Sequence, residues 1–371
     1  MQASQIKKLG FGLMRLPMCG EEVDIEQTKQ MVDLFMEKGF TYFDTAYGYL
    51  GGKSEEAAKT ALVDRYPRES FLLATKLPAW ASVKTAEEAK EMFWTSLGRT
   101  GAGYFDYYLF HNCGGERTKV FDDFGIWDFL AARKREGLIK RLGFSFHDNA
   151  ATLESLLQAH PDMDFVQLQI NYADWESSSI ESRKCFEVAR AHGKPVIVME
   201  PVKGGSLANL PEQVSAPMRQ FAPEASLSSW AIRYAASLEG VITVLSGMST
   251  PSQMRDNLST MEHFTPLSAQ EQQVIAEVQN RLASVERIPC TDCRYCVKDC
   301  PQGIQIPGIF SMVNHYKAFG NLQGAKDNYA AQVRKSGKAS ACIACGQCEM
   351  ACPQHIAIIE ELKKAAQSLE D

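Results

Sequence analysis

Three shortages in this sequence each close off a class of function. No apolar run is long enough to span a bilayer, so no membrane-crossing helix is expected. Neither charge sign dominates: 39 Lys plus Arg stand against 45 Asp plus Glu, for a formal net charge of −6. The basic stripe that grips nucleic acid is therefore missing. Cysteine is scarce outside the last quarter of the chain, where only Cys19, Cys113 and Cys185 occur. Such scattered thiols read as ordinary buried or half-buried side chains, not as a disulfide framework. The short apolar piece Leu9–Met14 follows Lys7 and Lys8 and ends at Arg15. It reads as a strand and not as a secretory leader, and a cytoplasmic location is the expectation.

What is present suffices for more than one hydrophobic core, with 371 residues of which 45% are hydrophobic. Up to about residue 260, strand-like runs alternate with helical patterns. Strands are expected at Lys8–Met14, Tyr42–Asp44, Phe71–Thr75, Tyr104–Phe110, Leu142–Phe146, Phe165–Ile170, Pro195–Met199 and Val241–Leu245. Apolar residues at helical spacing predict helices over Ile25–Lys38, Ser54–Tyr66, Thr85–Leu97, Phe124–Arg135, Ala150–Ala159, Ser179–Ala191 and Ala225–Ala236. Ser54 has the residue type of an N-cap, and Gly39, Gly137, Gly193 and Gly240 stand where helices end in a left-handed residue. Strict alternation implies a parallel sheet with right-handed crossovers. Eight such units favour an α/β fold closed as a (β/α)8 TIM barrel, with an open doubly wound sheet as the alternative. An amphipathic helix, Ser268–Val285, leads out of the barrel, and Arg287-Ile288-Pro289 breaks the pattern. The expected domains are 1–285 for the barrel and 286–371 for a small, mainly helical module.

Barrels of this kind carry their chemistry at the C-terminal ends of the strands. Strand two ends at Asp44 and runs through a turn of small residues to Tyr49; strand three ends at Lys76 and strand four at His111. Singly, each has an ordinary structural role: a turn-opening aspartate, a half-buried phenol, a solvated lysine, a satisfied histidine. Together they make a proton-donating set. A free tyrosine titrates near about 10, a neighbouring ammonium lowers that value, and a carboxylate keeps the lysine charged and oriented. An imidazole beside the phenol can bind a carbonyl oxygen. Tyr47 competes with Tyr49 for the acid role.

These motifs resemble the aldo-keto reductase family. The likeness rests on Gly10-Phe11-Gly12, Phe43-Asp44-Thr45-Ala46 with Tyr49, Ala74-Thr75-Lys76, Tyr108-Leu109-Phe110-His111, Leu142-Gly143-Phe144-Ser145, and the Ser246–Leu258 segment with Asn257-Leu258. It covers roughly residues 5–285. The resemblance implies Tyr49 as the acid/base, Asp44 and Lys76 as its tuning pair, and His111 as the group orienting the carbonyl. It also implies a nicotinamide dinucleotide held by Gly12, Ser145, Gln169, Met199, Gly247, Gln253 and Asn257. The chain departs from the family at Phe146, where many members have an asparagine, and at Met199, where an aromatic ring often stacks on the nicotinamide. Gly247 and Gln253 replace residues that are often basic in members binding NADP, with Arg255 a substitute, so NAD and NADP both stay open.

Eight cysteines fill the end of the chain in two like runs, Cys290-x2-Cys293-x2-Cys296-x3-Cys300-Pro301 and Cys342-x2-Cys345-x2-Cys348-x3-Cys352-Pro353. Structural zinc favours paired cysteines separated by a longer gap; this spacing suits iron–sulfur cubanes. It resembles bacterial two-cluster ferredoxins. That resemblance implies two [4Fe-4S] clusters with crossed ligation: Cys290, Cys293, Cys296 and Cys352 on one, Cys342, Cys345, Cys348 and Cys300 on the other. The long spacer predicts two inserted helices, Ile309–Phe319 and Gly324–Arg334. Residues 286–371 hold 10 Lys plus Arg against 9 Asp plus Glu, which leaves any redox partner protein undefined.

The leading expectation is an oxidoreductase that reduces a small-molecule carbonyl substrate with NADP or NAD, with Trp80 and Phe110 as pocket walls. Hydride moves two electrons together whereas a cubane passes one, so flavin coupling or single-electron feeding of the substrate are variants. A redox sensor or electron carrier with a non-catalytic barrel is the alternative from a different class.

Overall fold

The computed structural model describes residues 6–370 apart from residues 82, 291, 299 and 353. Two compact units make up the chain: Met1–Gly204 with Ser228–Gln272, and Gly205–Leu227 with Gln273–Asp371. Gly205–Leu227 groups with the second unit, where Ser206 Oγ meets His315 Nε2 at 3.1 Å and Arg281 donates to the Gln213 carbonyl at 2.7 Å.

The first unit is a closed barrel of eight parallel strands: β1 (Leu9–Gly12), β2 (Tyr42–Asp44), β3 (Leu72–Leu77), β4 (Phe105–Cys113), β5 (Ile139–Phe146), β6 (Phe165–Gln169), β7 (Val196–Met199) and β8 (Val241–Ser246). Each strand pairs with its sequence neighbour, and β1 closes the ring on β8. The doubly wound alternative is thereby excluded. A short antiparallel hairpin, Met18–Cys19 with Glu22–Val23, follows β1.

The period of two along each strand sorts the side chains. One set points into the barrel, where Tyr42, Leu72, Ala74, Tyr107, Leu109, Phe165, Ile197 and Leu245 form an apolar filling, joined by Ile242 across the register shift between Val241 and Thr243 on β8. The other set, such as Phe11, Phe43, Leu73, Tyr108, Phe144 and Val166, packs under the surrounding helices. Gly143 is demanded by closeness: a Cβ there would lie 2.4 Å from the Phe165 carbonyl oxygen and 2.8 Å from its ring.

Helix ends follow local chemistry with some shifts. Gly39, Gly137, Gly193 and Gly240 all have left-handed backbone, with φ of 74°, 82°, 67° and 86°. Ser54 is not an N-cap. Gly52 occupies that position, and Ser54 lies inside the helix Lys53–Ala58, its buried hydroxyl donating to the Leu13 carbonyl at 2.9 Å. The reason is the run of left-handed residues Leu50, Gly51 and Gly52, which reverses the chain early. The helix expected over Phe124–Arg135 forms as Ile126–Arg135, and a further helix, Gly115–Asp123, precedes it, the two parted at Gly125 with φ 60°.

The second unit is helical. Its core gathers Ile304, Ile306, Ile309, Phe310, Val313, Tyr329, Ile358 and Leu362 around buried Cys296, Cys348 and Cys352. The two expected spacer helices form as Ile306–Phe319 and Leu322–Val333. A further helix, Ile358–Leu369, buries Ile358, Leu362, Ala365 and Leu369 on one face. Among the described residues, no helix is long and apolar enough to cross a membrane.

Gly143→Ala is expected to cost about 1–3 kcal/mol through overpacking against backbone, seen as a thermal midpoint several degrees lower with unchanged far-UV circular dichroism. An unaltered melt would show that β5 and β6 are not in fact so tightly apposed.

Candidate active site and cysteine sets

The inward positions continue upward into polar residues. On β2 the alternation runs Tyr42, Asp44; on β3 Leu72, Ala74, Lys76; on β4 Tyr107, Leu109, His111. Asp44 therefore sits over Tyr42 in one layer with Lys76, and both are buried. Lys76 Nζ lies 2.5 Å from Asp44 Oδ1 and donates to the Thr45 carbonyl at 2.7 Å. Past the end of β2 the chain still tracks β3, with Thr45 and Tyr47 donating their N–H groups to the carbonyls of Ala74 and Lys76. This extension hangs the Tyr47–Gly52 turn over Lys76.

The turn separates the two tyrosines. The ring of Tyr49 lies under the Lys76 ammonium, 4.8 Å from ring centroid to Nζ, and meets His111 edge-on at 5.8 Å. Tyr47 instead stacks on Arg99, whose guanidinium lies 4.6 Å from the ring centroid and donates to the Tyr47 carbonyl. Gly52 makes room for that arginine: a Cβ at this position would lie 2.8 Å from the guanidinium carbon. Leu50, with φ 52°, bears the steric cost of the turn, about 1–2 kcal/mol for an L residue in this region.

Burial is the largest influence on every group in the set. It raises Asp44, against which the Lys76 ammonium pulls downward. For Lys76 itself, burial is outweighed by Asp44 and Tyr49, which hold the ammonium in its charged form and push its pKa up. Tyr49 departs from the sequence-based expectation. Lys76 does lower its pKa, but burial acts the other way more strongly, with Asp44 adding to it, and the phenol stays above its ordinary value. It is a proton-bearing group at neutral pH. His111 is pushed down to about 3 by burial, then by Lys76 and His147, so its imidazole is neutral. Asp44 Oδ2 and His111 Nδ1 are buried and have no hydrogen-bond partner among the described residues. Trp80, expected as a wall, holds the histidine's backbone: its Nε1 donates to the His111 carbonyl at 2.7 Å, with the rings 6.1 Å apart.

The residues singled out as cofactor contacts fall around the same end of the barrel. Gly12 ends β1 and pairs in register with Asp44. Ser145 is buried near the end of β5, its hydroxyl accepting the Asn112 N–H at 2.7 Å. Gln169 and Met199 end β6 and β7 as register partners. Gly247 follows β8 against the Arg15 side chain. Asn257 is buried and donates to Ser246 Oγ at 3.0 Å, while Gln253 is exposed and accepts the Ser249 N–H at 2.8 Å. Sequence reasoning missed Arg99 and the depth of Glu55. Glu55 is fully buried, accepts from Thr75 Oγ1 at 2.7 Å and pairs with Arg99 at 3.4 Å. Neither has a sequence signal beyond residue type.

In the second unit the cysteines gather in two crossed sets. Cys290, Cys293, Cys296 and Cys352 line one cavity, with Ile306, Pro307, Phe310, Ile356 and Ile358. Cys300, Cys342, Cys345 and Cys348 line another, with Ile304, Ile306, Ile343, Ile359 and Leu362. Both loops bend alike: Asp292 and Arg294 flank Cys293 with φ of 52° and 65°, and Ala344 and Gly346 flank Cys345 with φ of 55° and 76°. Left-handed residues on either side of a cysteine form the kind of concave turn that suits an anionic centre. The thiol sets, the apolar walls and this backbone fit a cubane in each cavity.

A family model described as the Aldo/keto reductase family matches residues 8–280, and one described as a 4Fe-4S dicluster domain matches residues 289–357. The uncharacterized oxidoreductase YqkF of Bacillus subtilis is 25% identical over 282 residues, covering 68% of this chain and 86% of that protein. An aldo-keto reductase of Mycolicibacterium smegmatis is 28% identical over 150 residues, covering 40% of this chain and 50% of that protein. Among solved structures, the holo form of an aldo-keto reductase from Bacillus halodurans shares the fold at a TM-score of 0.57 and 24% identity, covering 73% of this chain and 91% of that one. An aldo-keto reductase from Klebsiella pneumoniae in complex with NADPH does so at a TM-score of 0.57 and 18% identity, covering 74% and 91%. The chain belongs to the aldo/keto reductase family and joins its oxidoreductase barrel to a 4Fe-4S dicluster domain.

Proposed function

We propose that the barrel reduces a small-molecule carbonyl compound with NADPH or NADH, and that Tyr49 delivers the proton. The observation that carries this reading is the buried Asp44–Lys76 pair set against the ring of Tyr49, with the neutral imidazole of His111 on its flank. A carbonyl oxygen between Tyr49 and His111 can accept from the phenol O–H and from the imidazole N–H. As negative charge builds on that oxygen, the phenol gives up its proton, and the phenolate left behind faces the Lys76 ammonium. Asp44 and the Thr45 carbonyl keep that ammonium in place. Gly12, Ser145, Gln169, Met199, Gly247, Gln253 and Asn257 would hold a nicotinamide dinucleotide, which when bound supplies the hydride. The NADPH in the Klebsiella pneumoniae structure, on the same fold, supports that choice of cofactor.

The two cysteine sets favour a second role beside the first. Cys290, Cys293, Cys296 and Cys352 would hold one [4Fe-4S] cluster, and Cys342, Cys345, Cys348 and Cys300 the other. Bound clusters would give the chain access to single electrons, exchanged with a redox partner protein or with the barrel.

Anaerobically purified protein should oxidise NADPH or NADH in the presence of an aldehyde or quinone. In Tyr49→Phe that turnover should fall by about 10²–10⁴-fold, with iron content and melting temperature unchanged and Tyr47→Phe still active. Activity lost in Tyr47→Phe and kept in Tyr49→Phe would reassign the acid. Lys76→Met removes the influence that lowers the phenol's pKa. Reduction needs the protonated phenol, so its rate falls as pH rises through that pKa; without Lys76 the fall should move to higher pH and the plateau rate should drop. An alkaline limb in the same place would break the proposed coupling.

Crossed ligation has its own test. Cys300→Ser should damage the cluster held mainly by Cys342, Cys345 and Cys348, and Cys352→Ser the one held by Cys290, Cys293 and Cys296. Iron and sulfide analysis with EPR of the reduced proteins would identify which is lost. Damage confined to the substituted cysteine's own run would mean two independent loops.

A further inference from the structure

Gln169 ends β6 at the barrel mouth, and its amide is tied down by a group that the reaction does not use. Its Nε2 donates to Asp174 Oδ2 at 3.0 Å. Asp174 is 5% exposed and is surrounded by donors. Asn171 Nδ2 lies 2.9 Å from the same oxygen, and Lys203 Nζ lies 2.6 Å from Oδ1. Asn171 also accepts the Asp174 N–H at 2.9 Å and donates to the Glu200 carbonyl at 3.1 Å. The loops after β6 and β7 are thereby joined. Glu200 and Lys203, in the second loop, both have left-handed backbone, with φ of 56° and 50°, a conformation L residues adopt only where neighbours impose it.

The chemistry of these partners decides which way the amide points. A carboxylate accepts hydrogen bonds and does not donate them, so it must meet the NH2 end of Gln169 and not the oxygen. We propose that Asp174, held by Lys203 and Asn171, is a positioning residue that fixes the Gln169 amide with its carbonyl oxygen left for the ligand. Among the described residues Gln169 Oε1 has no hydrogen-bond partner. The mouth of β6 then presents a fixed acceptor, and a ligand lodged there must bring an N–H donor. Phe146 offers no polar group at the end of β5, which concentrates recognition of that donor on Gln169.

This inference rests on the nicotinamide reading above, because the carboxamide of that cofactor is the donor in question. It asks something narrower than whether the cofactor binds. The 3-acetylpyridine analogue of NADP keeps the carbonyl and the rest of the dinucleotide but replaces the NH2 by a methyl group. Binding of NADP and of this analogue, measured by tryptophan fluorescence in the anaerobic full-length protein, separates the two questions without relying on turnover. The native protein should bind NADP about tenfold more tightly than the analogue, the factor expected for one hydrogen bond to an otherwise unpaired acceptor. In Asp174→Asn the new amide can donate to Gln169 as readily as accept from it, so both orientations become available. The preference should shrink to within about threefold, mainly through weaker NADP binding, and Asp174→Glu should restore part of it. If loss of the Lys203–Asp174 ion pair destabilises Asp174→Asn, the double variant Asp174→Asn, Lys203→Met removes the lysine charge and serves for the same measurement. Equal binding of NADP and analogue by the native protein, or a full preference surviving in the folded variant, overturns the positioning role while leaving nicotinamide use intact. Failure of the native protein to bind either dinucleotide overturns the nicotinamide reading and this inference with it.

Discussion

The ion pair between Lys76 and Asp44 is the constraint on which the barrel mouth depends. Both groups are buried, and removing two charges from water is costly unless each satisfies the other closely. Here the separation is 2.5 Å, and the Thr45 carbonyl takes a second ammonium proton. Breaking such a pair from one side strands a charge, at a cost of about 3–5 kcal/mol. The strand ends that carry the two residues are therefore locked in register, and the turn bearing Tyr49 is laid over a fixed point. Position and electrostatics come from a single contact.

The same burial gives the two candidate hydrogen-bond donors opposite shifts. For a phenol, loss of water favours the neutral, proton-bearing form; for an imidazole it favours the neutral ring over the cation. Lys76 opposes the first effect and reinforces the second, so Tyr49 is raised only against resistance while His111 is driven to about 3. A lysine in this place keeps the imidazole uncharged and at the same time favours phenolate once the proton has gone. The ordering suits a donor that must be neutral before reaction and tolerably charged after it.

The eight strands could be read from the sequence because each is a short apolar run bounded by turn residues, and their order follows from alternation with helices. The same alternation explains why Asp44, Lys76 and His111 could be placed together from sequence: each is an even number of residues from an inward apolar neighbour. What stayed hidden depends on tertiary closeness. Ser54 has the residue type of a cap, yet left-handed residues before it moved the cap to Gly52. Glu55 looks like a surface acid at a helix start, and only the arrival of Thr75 and Arg99 makes its burial tolerable. The direction of the Tyr49 shift was hidden for the same reason, since desolvation depends on the whole surround and not on the partner alone.

The cysteine runs raise a question of electron count. A hydride carries two electrons as one event, and a cubane exchanges one. A single four-cysteine set would leave the module able to hold only half of what a carbonyl reduction consumes. This chain has two sets, each gathering three thiols from one run and one from the other, with Ile306 lining both cavities. The crossing means that neither cavity is complete without both ends of the intervening segment. A module built in this way provides for two one-electron carriers together. Two bound cubanes would together hold two electrons, the number that one hydride carries.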